Sequence, residues 1–257
     1  MTGSYVVTGG GRGIGRAIVE RLAAGGDPVV VVDRDADALA WLSGSESRLV
    51  GVSGDATDEA VVERAADEAG RAAPLRGWVN NAAVFRDASL HSAPTRTVLD
   101  LIAVNLGLAV VGCAVAVRRF LAAGTPGAIV NVSSHQARQA VPGCLPYVTA
   151  KAAIEGLTRA LAVEYGQHGI RVNAVAPGSV ETERYAEFLA GLGPDGAAAI
   201  EAEMGRLHPL GRVARAEEVA GAVALLLSAD ASFITGATVP VDGGRTVLAR
   251  DPEPPRT

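Results

Sequence analysis

The chain has 257 residues, 49% hydrophobic and 20% charged, a balance that suits a folded core and not a disordered polymer. A formal net charge of −5 and a pI near 5.4 argue against a phosphate-backbone partner, so no nucleic acid is expected. Two cysteines, Cys113 and Cys144, form neither a metal-ligand spacing nor a disulfide framework; the expectation is a reducing cytoplasm and no metal.

Met1 is followed by Thr2, Gly3 and Ser4 and then an apolar run, leaving no room for a signal peptide. The first strand is expected at 5–8. It enters Thr8-Gly9-Gly10-Gly11-Arg12-Gly13-Ile14-Gly15, then a helix at 13–24. Glycines here let the backbone turn tightly and approach a pyrophosphate, whose charge meets the free N–H groups of a helix N-terminus. A second strand at 28–32 delivers Asp33 to its end, where a carboxylate can accept hydrogen bonds from an adenosine ribose.

A helix at 35–42, a strand at 48–52, a helix at 58–72 and a strand at 77–80 follow. The helix expected at 95–121 contains the uncharged run 101–117, close to the length of a membrane span. Asn105 and small residues interrupt it, and a buried layer or subunit interface is the reading preferred, with no membrane. Strands at 128–132, 171–175 and 238–241 and helices at 147–165 and 217–227 complete the alternation. The strands are Val- and Ile-rich without polar alternation, as parallel strands covered on both faces require.

The fold class expected is therefore α/β: a Rossmann-type, doubly wound parallel sheet of about seven strands with helices on both faces. Residues 1–250 are read as one dinucleotide-binding and catalytic domain. Segment 183–208, with Gly191, Gly193, Pro194 and Gly196, is read as a mobile substrate flap with few ways to form a rigid helix pair. The proline-rich tail 251–257 is expected to be extended or disordered.

The spacing thr-gly-x-x-x-gly-x-gly resembles the short-chain dehydrogenase/reductase family, and an ordered set of later residues agrees with it. These are Asp55 and Ala56; Asn80-Asn81-Ala82-Ala83, with Ala83 where the family has glycine; Asn105; Ser134; Tyr147 and Lys151 as tyr-x-x-x-lys; Pro177-Gly178, Val180 and Thr182; and 239–244. The likeness spans residues 5–244. It implies that Gly9, Arg12, Gly13, Ile14, Gly15, Asp33, Asp55, Ala56, Asn80, Ala82, Pro177, Gly178, Val180 and Thr182 bind the dinucleotide, with Tyr147 and Lys151 at its nicotinamide end. It further implies that Lys151 holds the nicotinamide ribose, that Asn105 anchors a water for proton exchange, and that the protein is a homotetramer or homodimer.

Tyr147 and Lys151 share one helix face. A free tyrosine is a poor base at neutral pH, and a nearby lysine cation stabilises its phenolate. Tyr147 is thus the expected general acid/base for an alcohol or ketone substrate, with Ser134 holding the substrate oxygen. NAD is expected over NADP because Asp33 would repel a 2′-phosphate, although Arg12 and Arg34 pull the other way. Two other readings stand beside this one: an NADPH-dependent 3-oxoacyl or polyketide-type ketoreductase, and a non-catalytic nucleotide-sensing protein. Substrate choice is expected to lie in 86–95, 135–145 and the flap. Cys144 is read as a small apolar filler and His208 as a surface residue, while His135 and Gln136 are left between pocket and loop.

Overall fold

A computed structural model describes residues 3–44 and 48–249, so the tail 251–257 lies outside the described residues. In chain order the elements are β1 (Ser4–Thr8), α1 (Gly13–Ala23), β2 (Val29–Asp33), β3 (Leu49–Ser53), α2 (Glu59–Ala72) and β4 (Leu75–Asn80). Then come α3 (Thr95–Ala123), β5 (Gly127–Val132), α4 (Leu145–Tyr165), β6 (Ile170–Pro177) and β7 (Val180–Glu181). The chain continues with α5 (Glu183–Gly191), α6 (Gly193–Leu207), β8 (Ala214–Arg215), α7 (Ala216–Leu227) and β9 (Thr238–Val241).

Seven strands form one parallel sheet in the order β3-β2-β1-β4-β5-β6-β9, and β7 pairs separately with β8. The valine runs explain the layering. Along β2, Val29 and Val31 pack with α1 and α7, whereas Val30 and Val32 pack with α2 and α3; all four are buried. A strand apolar on both faces needs helices on both, and the right-handed crossovers supply them. The order reverses between β1 and β4, which opens a crevice at the carboxyl ends of those strands.

The helix expected at 35–42 is instead a 3-10 helix, Asp37–Gly44. The Asp35 carboxylate accepts from the Asp37 and Ala38 N–H groups, and this local capping holds the chain in a tight turn. Helix α4 begins earlier than expected because Pro146 is tolerated in a first turn, where no N–H is needed.

Segment 183–208 also departs from its reading: it forms a helix pair, α5 and α6. Thr182 caps α5 by accepting from the Tyr185 N–H (3.3 Å), and Pro194 sits harmlessly in the first turn of α6. The break falls at Gly193, with φ +70. Neither helix contains a buried residue. Helix α3 is long and apolar enough to cross a membrane by length and composition; here its buried residues pack against α2, α4 and the sheet.

Candidate active site

A single cavity of about 610 Å³ runs along the crevice, from the end of β2 to α5. Gly9, Arg12, Gly13, Ile14 and Gly15 line one end. The turn there leaves no space for side chains: a Cβ on Gly15 would stand 2.0 Å from the Gly9 carbonyl oxygen. Asn81 stitches this turn to β4, its Nδ2 donating to the carbonyls of Thr8 (3.2 Å) and Gly9 (2.8 Å). The Gly13 N–H, at the start of α1, donates to Glu183 Oε2 (3.0 Å) on α5. That N–H is one of the free donors an anion would seek.

Asp33 is fixed where β2 ends, its two oxygens accepting from the N–H groups of Gly11 (3.0 Å) and Asp35 (3.1 Å). Arg12 does not reach freely into this region, because it pairs with Asp35 at 2.5 Å. Arg34, Asp35, Asp55 and Ala56 complete this end of the cavity. The Asp55 carboxyl is held below its ordinary pKa by the Thr57 backbone N–H and hydroxyl, with a smaller contribution from the Arg34 charge.

The opposite end holds Ser134, Tyr147 and Lys151. Ser134 follows β5 in extended backbone and caps the short turn after it, its Oγ accepting from the Gln136 N–H (3.2 Å). Burial pushes the Tyr147 phenol up to about 12, opposed by the neighbouring Ser134 hydroxyl and by the Arg184 charge. Lys151 is pushed down to about 8 by burial, and its Nζ donates to the Val132 carbonyl (2.6 Å) while lying 5.4 Å from the Tyr147 ring centroid. One donor of the ammonium is therefore spent on the sheet, leaving two.

Pro177, Gly178, Val180 and Thr182 line the cavity beside these residues, as does Ala82. His135 is buried, and its Nδ1–H donates to the Pro177 carbonyl (3.1 Å), since a carbonyl can only accept. Burial pushes this imidazole down to about 4, so it is neutral near pH 7 and its Nε2 is an acceptor. That Nε2, Gln136 Oε1 and the Tyr185 hydroxyl are buried and have no partner; all three residues line the cavity.

Two expected site residues are not on the cavity wall. Asn80 is buried beneath it, with Oδ1 accepting from Trp78 Nε1 (2.9 Å) and Nδ2 donating to Asn131 Oδ1 (2.8 Å). Asn131 donates in turn to Thr158 (2.9 Å), so this chain of amides ties β4, β5 and α4 together under the crevice. Asn105 accepts from the Val84 N–H (2.9 Å) and donates to the carbonyls of Val84 (3.0 Å) and Leu101 (3.2 Å). Its amide thereby clamps the segment that carries Phe85, and it meets the cavity only through the backbone of Val84, which lines it.

His208 is not a surface residue: it is 2% exposed, with Nδ1 against the Met204 carbonyl (2.7 Å) and Nε2 accepting from the Ser179 N–H (3.3 Å). Cys144 is half-buried, and burial, followed by the nearby Asp87 carboxylate, raises its thiol pKa. Sequence reasoning missed Phe85, Glu183 and Arg184. The last two fall in the segment marked for specificity, but nothing local in the sequence shows which of its side chains face inward. None of residues 86–95 lines the cavity.

Comparison with known proteins agrees with this geometry. The family model described as enoyl-(acyl carrier protein) reductase matches residues 9–246. The chain is 42% identical to cis-4-hydroxycyclohexanecarboxylate dehydrogenase of Sinomonas cyclohexanicum, over 95% of this chain and 96% of that protein. It is 41% identical to the short-chain reductase protein NovJ of Streptomyces niveus, over 93% and 92% of the two chains. Among solved structures, the ligand-free aldohexose dehydrogenase of Thermoplasma acidophilum superposes with a TM-score of 0.88 at 30% identity, covering 99% of this chain and 98% of that one.

Proposed function

The chain belongs to the short-chain dehydrogenase/reductase family and is an NAD(P)-dependent oxidoreductase acting on CH–OH groups, and on that premise we propose that it interconverts a ring-borne secondary alcohol and its ketone, uses NAD(H) in preference to NADP(H), and moves the proton through Tyr147. One observation carries the reading: the Ser134–Tyr147 hydroxyl pair shares a single cavity with the glycine turn and Asp33. The Sinomonas relative, a cis-4-hydroxycyclohexanecarboxylate dehydrogenase, supports a ring alcohol as the substrate class.

The cavity fits a dinucleotide. The glycine turn and the N-terminus of α1 suit the pyrophosphate, Asp33 the adenosine ribose, and Pro177, Gly178, Val180 and Thr182 the nicotinamide side. When bound, the nicotinamide supplies the acceptor or donor of hydride. Ser134 orients the substrate oxygen beside the phenol; Tyr147 takes the hydroxyl proton in oxidation and returns one in reduction. The Lys151 cation lowers the cost of the phenolate. Asn105 serves this arrangement by holding Val84, and through it Phe85, in place.

Asp33 and Asp35 together give the adenosine end two carboxylates, and Asp35 neutralises Arg12, one of the two cations a 2′-phosphate would use. We expect kcat/KM with NAD(H) to exceed that with NADP(H) by about tenfold or more, the equivalent of about 1.4 kcal/mol. In Asp33→Ser the preference should shrink or reverse. Equal or better efficiency with NADP(H) in the unmodified enzyme would sink this part of the reading. A reducing cytoplasm belongs to the same proposal, supported by the free thiols Cys113 and Cys144.

A further inference from the structure

The cavity carries one cation that the activity above does not use. Arg184, in the first turn of α5, has its guanidinium 4.0 Å from the Phe85 ring centroid, and the Phe85 and Tyr147 rings lie 5.0 Å apart. All three residues line the cavity. Among the described residues Arg184 makes no hydrogen bond or ion pair, so the donors of its guanidinium fork are unspent. Glu183, its neighbour on the helix, is engaged with the Gly13 N–H. Gln136 Oε1 and the Tyr185 hydroxyl, two more polar groups of this cavity without a partner, add to the unused capacity.

We propose that Arg184 determines specificity by binding a carboxylate that the substrate carries several bonds away from its reacting carbinol. The spacing follows from the rings: the guanidinium lies over Phe85 and not over Tyr147, so a group on its fork is set apart from a substrate oxygen at Tyr147. A 2-hydroxy acid holds its carboxylate next to the carbinol and is too short; a carboxylate across a six-membered ring suits the span. The charge type follows from the planar fork, which takes a carboxylate through two parallel bonds. Glu183 and Glu187 on the same helix disfavour a doubly charged group such as a phosphate. The Phe85 ring covers one face of the guanidinium and leaves its edge, which carries the donors, open to a carboxylate. The guanidinium charge also acts on the Tyr147 phenol, drawing its pKa down against burial, so the two ends of the substrate are read by neighbouring groups. This inference rests on the ring-alcohol reading of the site.

The test compares 4-hydroxycyclohexanecarboxylate with its methyl ester as substrates of the wild type, Arg184→Ala and Arg184→Lys. Binding of the acid to enzyme saturated with reduced dinucleotide is followed in parallel by calorimetry. In the wild type the acid should exceed the ester in kcat/KM by about tenfold or more, and 0.5 M salt should shrink the ratio. Arg184→Ala should erase the ratio, chiefly by raising KM for the acid, and Arg184→Lys should restore part of it. Equal efficiency for acid and ester in the wild type, or an equal loss for both in Arg184→Ala, overturns the assignment. If neither compound turns over but the acid binds and Arg184→Ala abolishes that binding, the carboxylate site stands and the ring-alcohol reading falls. If the acid does not bind either, the assignment is overturned as well.

Discussion

Lys151 carries a burden that its proposed role beside Tyr147 would explain. A buried ammonium is costly, and here burial holds the pKa near 8. Its folded-state pKa is thus below the unfolded value, so between about pH 8 and pH 10.5 the unfolded chain binds more protons and stability rises with pH. A neutral Lys151→Met variant lacks that rise. Denaturation midpoints at pH 7.5 and 9.5 should show the wild type gaining on the variant by roughly 1–3 kcal/mol as the pH climbs. Turnover of the variant should meanwhile fall by about a hundredfold or more, since nothing else in the site offers Tyr147 a buried cation. A stability difference that stays flat across this window contradicts the depressed pKa. At this scale the sequence was legible where spacing alone fixes geometry: Tyr147 and Lys151 sit one helical turn apart, and Asp33 ends a strand. It was silent on Arg184 and Phe85, 99 positions apart in the chain and brought together only by packing. It misplaced His208 for the same reason, because its partner Ser179 lies across a loop.

The elements show why some local readings succeeded and others failed. Helix α3 passes close over the end of β4, and Gly112 makes that possible: a Cβ there would stand 1.9 Å from Asn80 Oδ1. The glycine could be read in the sequence, but not its reason, which is the asparagine it shelters. Helices α5 and α6 ran against expectation because a cap on the first and a well-placed proline in the second outweigh glycine content, and Glu183 opens α5. Its first residue has a consequence for ligand binding. The Glu183 carboxylate takes the Gly13 N–H at the start of α1, the end of a helix dipole that a pyrophosphate would use. A pyrophosphate taking that N–H would have to displace Glu183. In Glu183→Gln the competing charge is gone, and calorimetry should show the dinucleotide binding about two- to fivefold more tightly. Unchanged or weaker binding would show that Glu183 aids the bound state instead.

Taken whole, the molecule is a parallel sheet whose switch point gathers the glycine turn, the Ser134 and Tyr147 hydroxyls and helix α5 around one crevice. The ordered motif set carried that plan in the sequence, because each motif sits at a strand end and parallel topology brings strand ends together. Assembly is written less locally. Leu99, Val110 and Leu121 on α3 and Val163 on α4 remain exposed, more apolar surface than the sheet covers. We expect a homodimer or homotetramer, so light scattering should give two or four times 26.1 kDa; a particle of 26.1 kDa at micromolar concentration would contradict this. The proposed proton transfer turns on one hydroxyl, and Tyr147→Phe removes it while keeping the ring that Phe85 packs against. Turnover of a ring alcohol and calorimetric binding of the dinucleotide should be measured on the same preparation. The account predicts turnover below about a tenth of wild type with dinucleotide affinity held within a few-fold. A variant that keeps more than that fraction of its turnover would show that the proton travels by another route.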